Sequence, residues 1–215
     1  MTSFVAFDLD GTLVDSRRDI AESANEVLEA YGHPARSEEA IGSMVGDGAA
    51  VLIARAFAAA HAPVPTDALE RFLEVYNRRL VRFTQPYEGI PELLERLVER
   101  AALAVLTNKP AGATSSILEH FGLIRFFGNR VLGGDGPLPR KPSPAGLLKL
   151  IADAAVLPAS AVMVGDSVVD VRTAHAAGAR ACVARYGFGF TPAAVDALQP
   201  GEPAIDRPLD LLLYL

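Results

Sequence analysis

The stretch Phe4-Val5-Ala6-Phe7-Asp8-Leu9-Asp10-Gly11-Thr12 sets four apolar residues directly against two carboxylates and a glycine. The apolar run is rich in strand formers and short, so it reads as a buried parallel strand that stops at a turn. The residues immediately after each later apolar run then decide whether this turn is an isolated feature or one side of a site.

Downstream of Gly89 and Pro91 the pattern alternates. A helix from about 91 to 100 precedes the strand Leu103-Ala104-Val105-Leu106, and a helix from about 111 to 121 precedes a short strand near 130–132. A helix from about 144 to 155 precedes Ala161-Val162-Met163-Val164, and one near 171–177 precedes Ala181-Cys182-Val183-Ala184. Such alternation predicts a doubly wound α/β core with a parallel sheet. Between about Ser16 and Phe83 the apolar residues instead recur at helical spacing, with breaks near Gly32-His33-Pro34, Gly46-Asp47-Gly48 and Ala62-Pro63-Val64-Pro65. This stretch predicts an all-helical insert after the first strand, dividing the chain into a core of 1–15 and 84–215 and an insert of 16–83.

Ligands of doubly wound sheets collect at the carboxyl ends of the strands. Three polar clusters fall there: Asp8 to Thr12, Thr107-Asn108-Lys109-Pro110, and Gly165-Asp166-Ser167 with Asp170 four residues on. Either aspartate of the first cluster alone reads equally well as a turn residue. Two together need a cation, a donor network or a shared proton. With a cation supplied, Asp8 becomes available as a nucleophile and Asp10 as general acid and then base. Asp166 and Asp170 add hard oxygen ligands of the kind Mg²⁺ takes. Ser167 reads as a helix cap at least as readily as a catalytic group. The Thr107 hydroxyl and the amides from Asn108 onward, at a helix start, suit phosphate oxygens, although a strand-end threonine is usually structural.

Composition narrows the function. The 215 residues are 50% hydrophobic and 21% charged, as in a globular protein, and the net charge of −6 argues against nucleic acid as a partner. One cysteine, Cys182, excludes an internal disulfide and a cysteine-rich metal site, and the four histidines lack metal-ligand spacing. No apolar run reaches the roughly 18 residues that span a bilayer. Met1-Thr2-Ser3-Phe4 does not resemble a signal peptide, so a cytoplasmic location is expected. Of 20 basic residues only Lys109, Lys141 and Lys149 are lysines. A retained lysine asks what a compact point charge does there, and Lys141, in a proline-stiffened loop, reads as a charge held against a phosphoryl group and Asp8.

Together these pieces resemble the haloacid dehalogenase superfamily over nearly the whole chain. Its four signatures occur in order as Asp8-Leu9-Asp10-Gly11-Thr12, Thr107-Asn108, Lys141-Pro142 and Gly165-Asp166-Ser167-Val168-Val169-Asp170. The resemblance implies a Rossmann-like core with a helical cap. It implies Asp8 as nucleophile and metal ligand, and Asp10 as acid/base with its carbonyl on Mg²⁺. Thr107, Asn108 and Lys141 then meet the phosphoryl group, Asp166 is a metal ligand, and Asp170 supports it. Val45-Gly46-Asp47-Gly48-Ala49, Thr107-Asn108-Lys109-Pro110, Gly133-Gly134-Asp135 and Tyr186-Gly187-Phe188 look like the phosphoglycolate phosphatase group.

The expected function is therefore Mg²⁺-dependent hydrolysis of 2-phosphoglycolate or a similar small phosphorylated metabolite through an aspartyl-phosphate. A sugar-phosphate phosphatase or a phosphosugar mutase is the alternative, and a non-catalytic phosphate-binding module the remaining one. Asp10 speaks against the metal-free dehalogenases, and the absence of lysine from 16–83 against phosphonoacetaldehyde hydrolases. Arg17, Arg55 and Arg79 are candidates to meet an anionic substrate, each with a solvated helix face as the plainer reading. The sequence carries no reading of oligomeric state.

Overall fold

In the computed structural model, which describes residues 2–215, β1 (Phe4–Phe7) leads through a two-residue strand, β2 (Val14–Asp15), into four helices. These are α1 (Arg17–Ala30), α2 (Glu38–Gly42), α3 (Ala49–Ala59) and α4 (Ala68–Asn77). The chain returns through β3 (Gln85–Pro86) and then alternates: α5 (Ile90–Leu97), β4 (Ala102–Leu106), α6 (Ala111–His120), β5 (Val131–Leu132), α7 (Ala145–Asp153), β6 (Ala161–Gly165), α8 (Val168–Ala176), β7 (Arg180–Ala184), α9 (Pro192–Asp196) and β8 (Ala204–Ile205).

Six strands form one parallel sheet in the order β5-β4-β1-β6-β7-β8, the doubly wound core that the alternation predicts. Strand β1 is wholly buried, and its residues divide by parity between two apolar clusters. Val5 and Phe7 join Leu93, Leu94 and Leu97 of α5 on one face, whereas Phe4 and Ala6 join Leu147 and Ile151 of α7 on the other. A strand covered on both faces has no polar alternation, which is why Phe4 to Phe7 reads as a continuous apolar run. Helix α5 shows the complementary pattern: Ile90, Leu93, Leu94 and Leu97 are its buried residues, at the 3–4 spacing of one helix face.

Because β4 and β6 flank β1 on opposite sides, the winding reverses at β1. The carboxyl end of this strand opens into the crevice where such folds bind ligands. Helices α1 to α4 stand over that end with an apolar cluster of their own, built on Leu28, Ile41, Ile53, Phe57 and Phe72. Phe188, from the loop after β7, packs against this cluster.

The structure adds features that the sequence patterns do not predict, β8 among them. Strands β2 and β3 pair antiparallel, Val14 opposite Pro86 and Asp15 opposite Gln85, so entry to and exit from the helical insert run side by side. Beside them Asp19 of α1, fully buried, accepts from the Phe83 and Thr84 N–H groups at 2.9 and 2.8 Å and from the Thr84 hydroxyl at 2.8 Å. Helix α8 also begins at Val168, ahead of the expected 171, because Asp170 folds back onto the Ser167 N–H and nucleates its first turn. Among the described residues no helix is long and apolar enough to cross a membrane.

Candidate active site

Asp8 extends β1 by one residue: its N–H donates to the Val164 carbonyl at 2.9 Å, which fixes the residue at the carboxyl edge of the sheet. Its Oδ1 accepts from the Leu9 N–H at 2.7 Å and lies 2.9 Å from Lys141 Nζ. The same ammonium donates to Asp170 Oδ1 at 2.7 Å. Asp170 Oδ2 accepts from the Ser167 N–H at 3.1 Å and the Ser167 hydroxyl at 2.7 Å, so both of its oxygens are engaged. Ser167 therefore occupies the helix-cap position and supports Asp170. At the end of β6 a Cβ on Gly165 would overlap the Asp170 carboxylate, so only glycine lets the acid lie across the strand terminus.

Asp166 completes the group from the other side. Its Oδ2 accepts from the Gly189 N–H at 2.7 Å. Gly11, at φ +81°, is packed so closely against it that a Cβ would overlap that oxygen. The glycine of the first signature is thus required both by its left-handed backbone and by the acid above it.

One oxygen each from Asp8, Asp166 and Asp170 lies within 4.8 Å of the others, with all three residues buried. Burial pushes the Asp8 carboxyl up to about 6 against the pull of Lys141, with Asp170 and Asp10 adding to the rise. Burial also raises Asp166 well above the usual carboxylate range, reinforced by Asp170 and Asp8. Burial works against the Lys141 ammonium, yet Asp170 and Asp8 together hold its pKa above the ordinary lysine value. With three carboxylates ionised, this one ammonium leaves the cluster two charges short of neutrality. A divalent cation removes that deficit, and hard carboxylate oxygens suit it.

Asp10 faces elsewhere. Its carboxylate accepts from Lys109 Nζ at 2.9 and 3.0 Å and from the Ser16 hydroxyl at the entry to α1. Lys109 is buried, donates to the Tyr76 hydroxyl of α4 at 2.6 Å, and sits 4.4 Å from that ring's centroid. Burial pushes the Tyr76 phenol up to about 12 despite the neighbouring ammonium. Thr107 is buried at the end of β4, and its hydroxyl oxygen accepts from the Lys109 N–H at 3.3 Å. The Asn108 amide is occupied by backbone: it donates to the Gly46 and Lys141 carbonyls and accepts from the Lys141 N–H.

Asp8, Asp10, Tyr76, Thr107, Lys109 and Asp166 border one cleft between sheet edge and insert, whose upper wall is Ile20, Val45, Leu52, Phe72 and Leu73. The candidate arginines do not enter it as free charges. Arg17 pairs with Glu38 and Asp15, Arg55 with Asp47, and Arg79 with Glu22 and Glu26. His175 contacts Glu202 and His33 meets the Phe57 ring edge-on, both away from the cleft.

Residues 5–184 match the family described as haloacid dehalogenase-like hydrolase. The chain belongs to this family. The hydrolase is 40% identical over 203 residues to a phosphoglycolate phosphatase of Rhodospirillum rubrum, covering 90% of this chain and 84% of that one. It is 39% identical over 195 residues to a phosphoglycolate phosphatase of Pseudomonas savastanoi pv. phaseolicola, with 87% and 71% covered. A crystal structure of a predicted phosphoglycolate phosphatase from Haemophilus somnus superposes with a TM-score of 0.90 at 32% identity, covering 99% of this chain and 97% of that one. The chain is thus an enzyme of the phosphatase class.

Two members of this hydrolase's cleft have no role in the sequence reading. Lys109 is one, although the scarcity of lysine that singles out Lys141 applies equally to it. Tyr76 is the other; it reads as one more apolar residue on the inner face of α4, and nothing local distinguishes its hydroxyl.

Proposed function

We propose that this hydrolase is a Mg²⁺-dependent phosphomonoesterase that passes the phosphoryl group through Asp8 and acts on 2-phosphoglycolate or a similarly small phosphorylated metabolite. The observation that carries this reading is the Lys141 ammonium set between Asp8 and Asp170, beside the Asp8–Asp166–Asp170 cluster. That arrangement joins a carboxylate nucleophile, a fixed cation and a metal-ready donor set at one strand end.

In the first step an Asp8 oxygen attacks phosphorus, the P–O ester bond breaks, and Asp10 gives a proton to the leaving oxygen. In the second, Asp10 takes a proton from water as that water attacks phosphorus, releasing inorganic phosphate and restoring the Asp8 carboxylate. Lys141 holds charge against the transferring group, with Asp170 keeping the ammonium in place. The Thr107 hydroxyl and the Asn108 backbone N–H receive phosphoryl oxygens. Asp8, Asp166 and the Asp10 carbonyl would hold Mg²⁺, which supplies charge neutralisation to the phosphoryl group. Residues 16–83 serve as a cap over a core of 1–15 and 84–215 and exclude water from the cleft.

Asp8→Asn tests the nucleophile. With p-nitrophenyl phosphate and Mg²⁺, phosphate release is expected to fall by at least about a thousandfold while the circular dichroism spectrum is retained. Turnover at the wild-type rate would refute the aspartyl-phosphate route. A comparison of kcat/KM over small phosphate esters tests the substrate; equal values for 2-phosphoglycolate and several sugar phosphates would remove the narrow assignment.

A further inference from the structure

We propose that Lys109, together with the Tyr76 hydroxyl, reads the leaving group, and that the group it reads is a carboxylate borne on the ester carbon. The inference rests on the phosphomonoesterase reading above and adds to it the residues that select the alcohol.

Position supplies the first support. Asp10 must lie one hydrogen bond, about 2.7 Å, from the leaving oxygen in order to protonate it. Lys109 Nζ lies one hydrogen bond beyond, 2.9 Å from Asp10 Oδ1. The ammonium therefore lies beside the carboxylate that meets the leaving oxygen, whereas Lys141 lies on Asp8. A carboxylate one carbon from the ester oxygen is a group short enough to meet a cation placed this near to Asp10.

Charge supplies the second. Lys109 is the cation that lines the cleft beside Asp10; Lys141 is held on Asp8 and Asp170, and Arg140 lies farther out, beside Gly48. The three arginines that could have met an anion are each paired with carboxylates within the insert or at its hinge. Lys141 shows that this site holds a lysine between two carboxylates, at 2.9 and 2.7 Å. Lys109 has Asp10 on one side and, on the other, a neutral phenol. Tyr76 accepts from Lys109, so its own proton remains to donate to the same incoming carboxylate.

The remaining wall supplies the third. Ile20, Val45, Leu52, Phe72 and Leu73 offer no side-chain partner to the hydroxyls of a sugar. A polyol bound there would leave polar groups unpaired, whereas a short acid places its single polar end on Lys109 and Tyr76.

The test compares 2-phosphoglycolate with 2-hydroxyethyl phosphate, in which an alcohol replaces the carboxylate. Wild-type kcat/KM is expected to favour the acid by about a hundredfold. Lys109→Met should bring that ratio to about one through a raised KM for the acid, beyond any factor common to both esters. Tyr76→Phe, which removes only a hydroxyl, should lower the ratio by about threefold or more and serves if Lys109→Met does not fold. Equal losses on both esters with the ratio kept would show that Lys109 acts only through Asp10 and would overturn the proposal. A wild-type enzyme that hydrolyses both esters equally would overturn it while leaving the phosphomonoesterase reading intact. Turnover of neither ester by the wild type would remove both.

Discussion

The side-chain amide of Asn108 grips Lys141 by its backbone, Oδ1 accepting from the Lys141 N–H at 2.9 Å and Nδ2 donating to its carbonyl at 3.0 Å. The same Nδ2 donates to the Gly46 carbonyl of the helical insert at 2.9 Å. One buried side chain thus ties the loop carrying Lys141 to the insert above it. Asn108→Ala is expected to lower kcat for p-nitrophenyl phosphate by about a hundredfold, since displacing a charged group by about 1 Å costs that much. Steady-state kinetics would show it, and an unchanged kcat would mean that Lys141 needs no such support.

The Asp19 carboxylate carries the junction where the insert rejoins the core, accepting three hydrogen bonds from Phe83 and Thr84. Asp19→Ala strands two backbone donors and a hydroxyl, at an expected cost of about 2–4 kcal/mol. Asp19→Asn keeps one acceptor oxygen and should lose less. Urea midpoints rank the three proteins, and hydrogen exchange at the Phe83 and Thr84 amides should accelerate in the alanine variant before global unfolding.

Metal binding has a readout apart from turnover. If Asp8 and Asp166, with the Asp10 carbonyl, take Mg²⁺, the ion at a hundred times its Kd should stabilise the fold by about 2.7 kcal/mol. For a chain of this size that raises Tm by several degrees, reversed by chelation. Asp166→Asn should abolish the shift. A Tm insensitive to Mg²⁺ in the wild type would argue against the cluster as a metal site.

How far the sequence disclosed these relationships depends on their range. Strand β1, the acids at its end and the alternation after Gly89 are local patterns, and the structure has them at the expected positions. Lys109 and Tyr76 are separated by 33 residues and meet only because α4 is folded over the sheet edge. The Asn108 clamp is likewise a contact to backbone carbonyls, which carry no residue-specific signature. Strands β2, β3 and β8 have two residues each, below the length at which period-two alternation can register. Asp19 reads as an ordinary acid in the first turn of a helix until the returning chain is placed beside it.

Cys182 gives a pH-dependent prediction away from the cleft. It is buried in β7, and burial pushes its thiol up to about 12, with Glu202 adding to the rise and Arg180 opposing it. The folded protein therefore keeps a proton that the unfolded chain releases near pH 8.5. Above that value the native state binds more protons, so stability falls as pH rises, by about 1.4 kcal/mol per pH unit until the folded thiol itself ionises. Wild type should lose more stability than Cys182→Ala between about pH 9 and 11. Thiol reagents at pH 8 should label Cys182 only after denaturation.

The antiparallel pairing of β2 with β3 brings the two ends of the helical insert to adjacent positions in space. Topologically the insert is a closed excursion: the sheet neither threads through it nor draws its register from it. Shortening the excursion to a tight turn would convert β2 and β3 into a simple hairpin, and loop-closure entropy grows only slowly with the length of what lies between. The segment that stands over the Asp8 end of the sheet can therefore vary in size and lining without disturbing the strands that carry Asp8, Thr107 and Asp166.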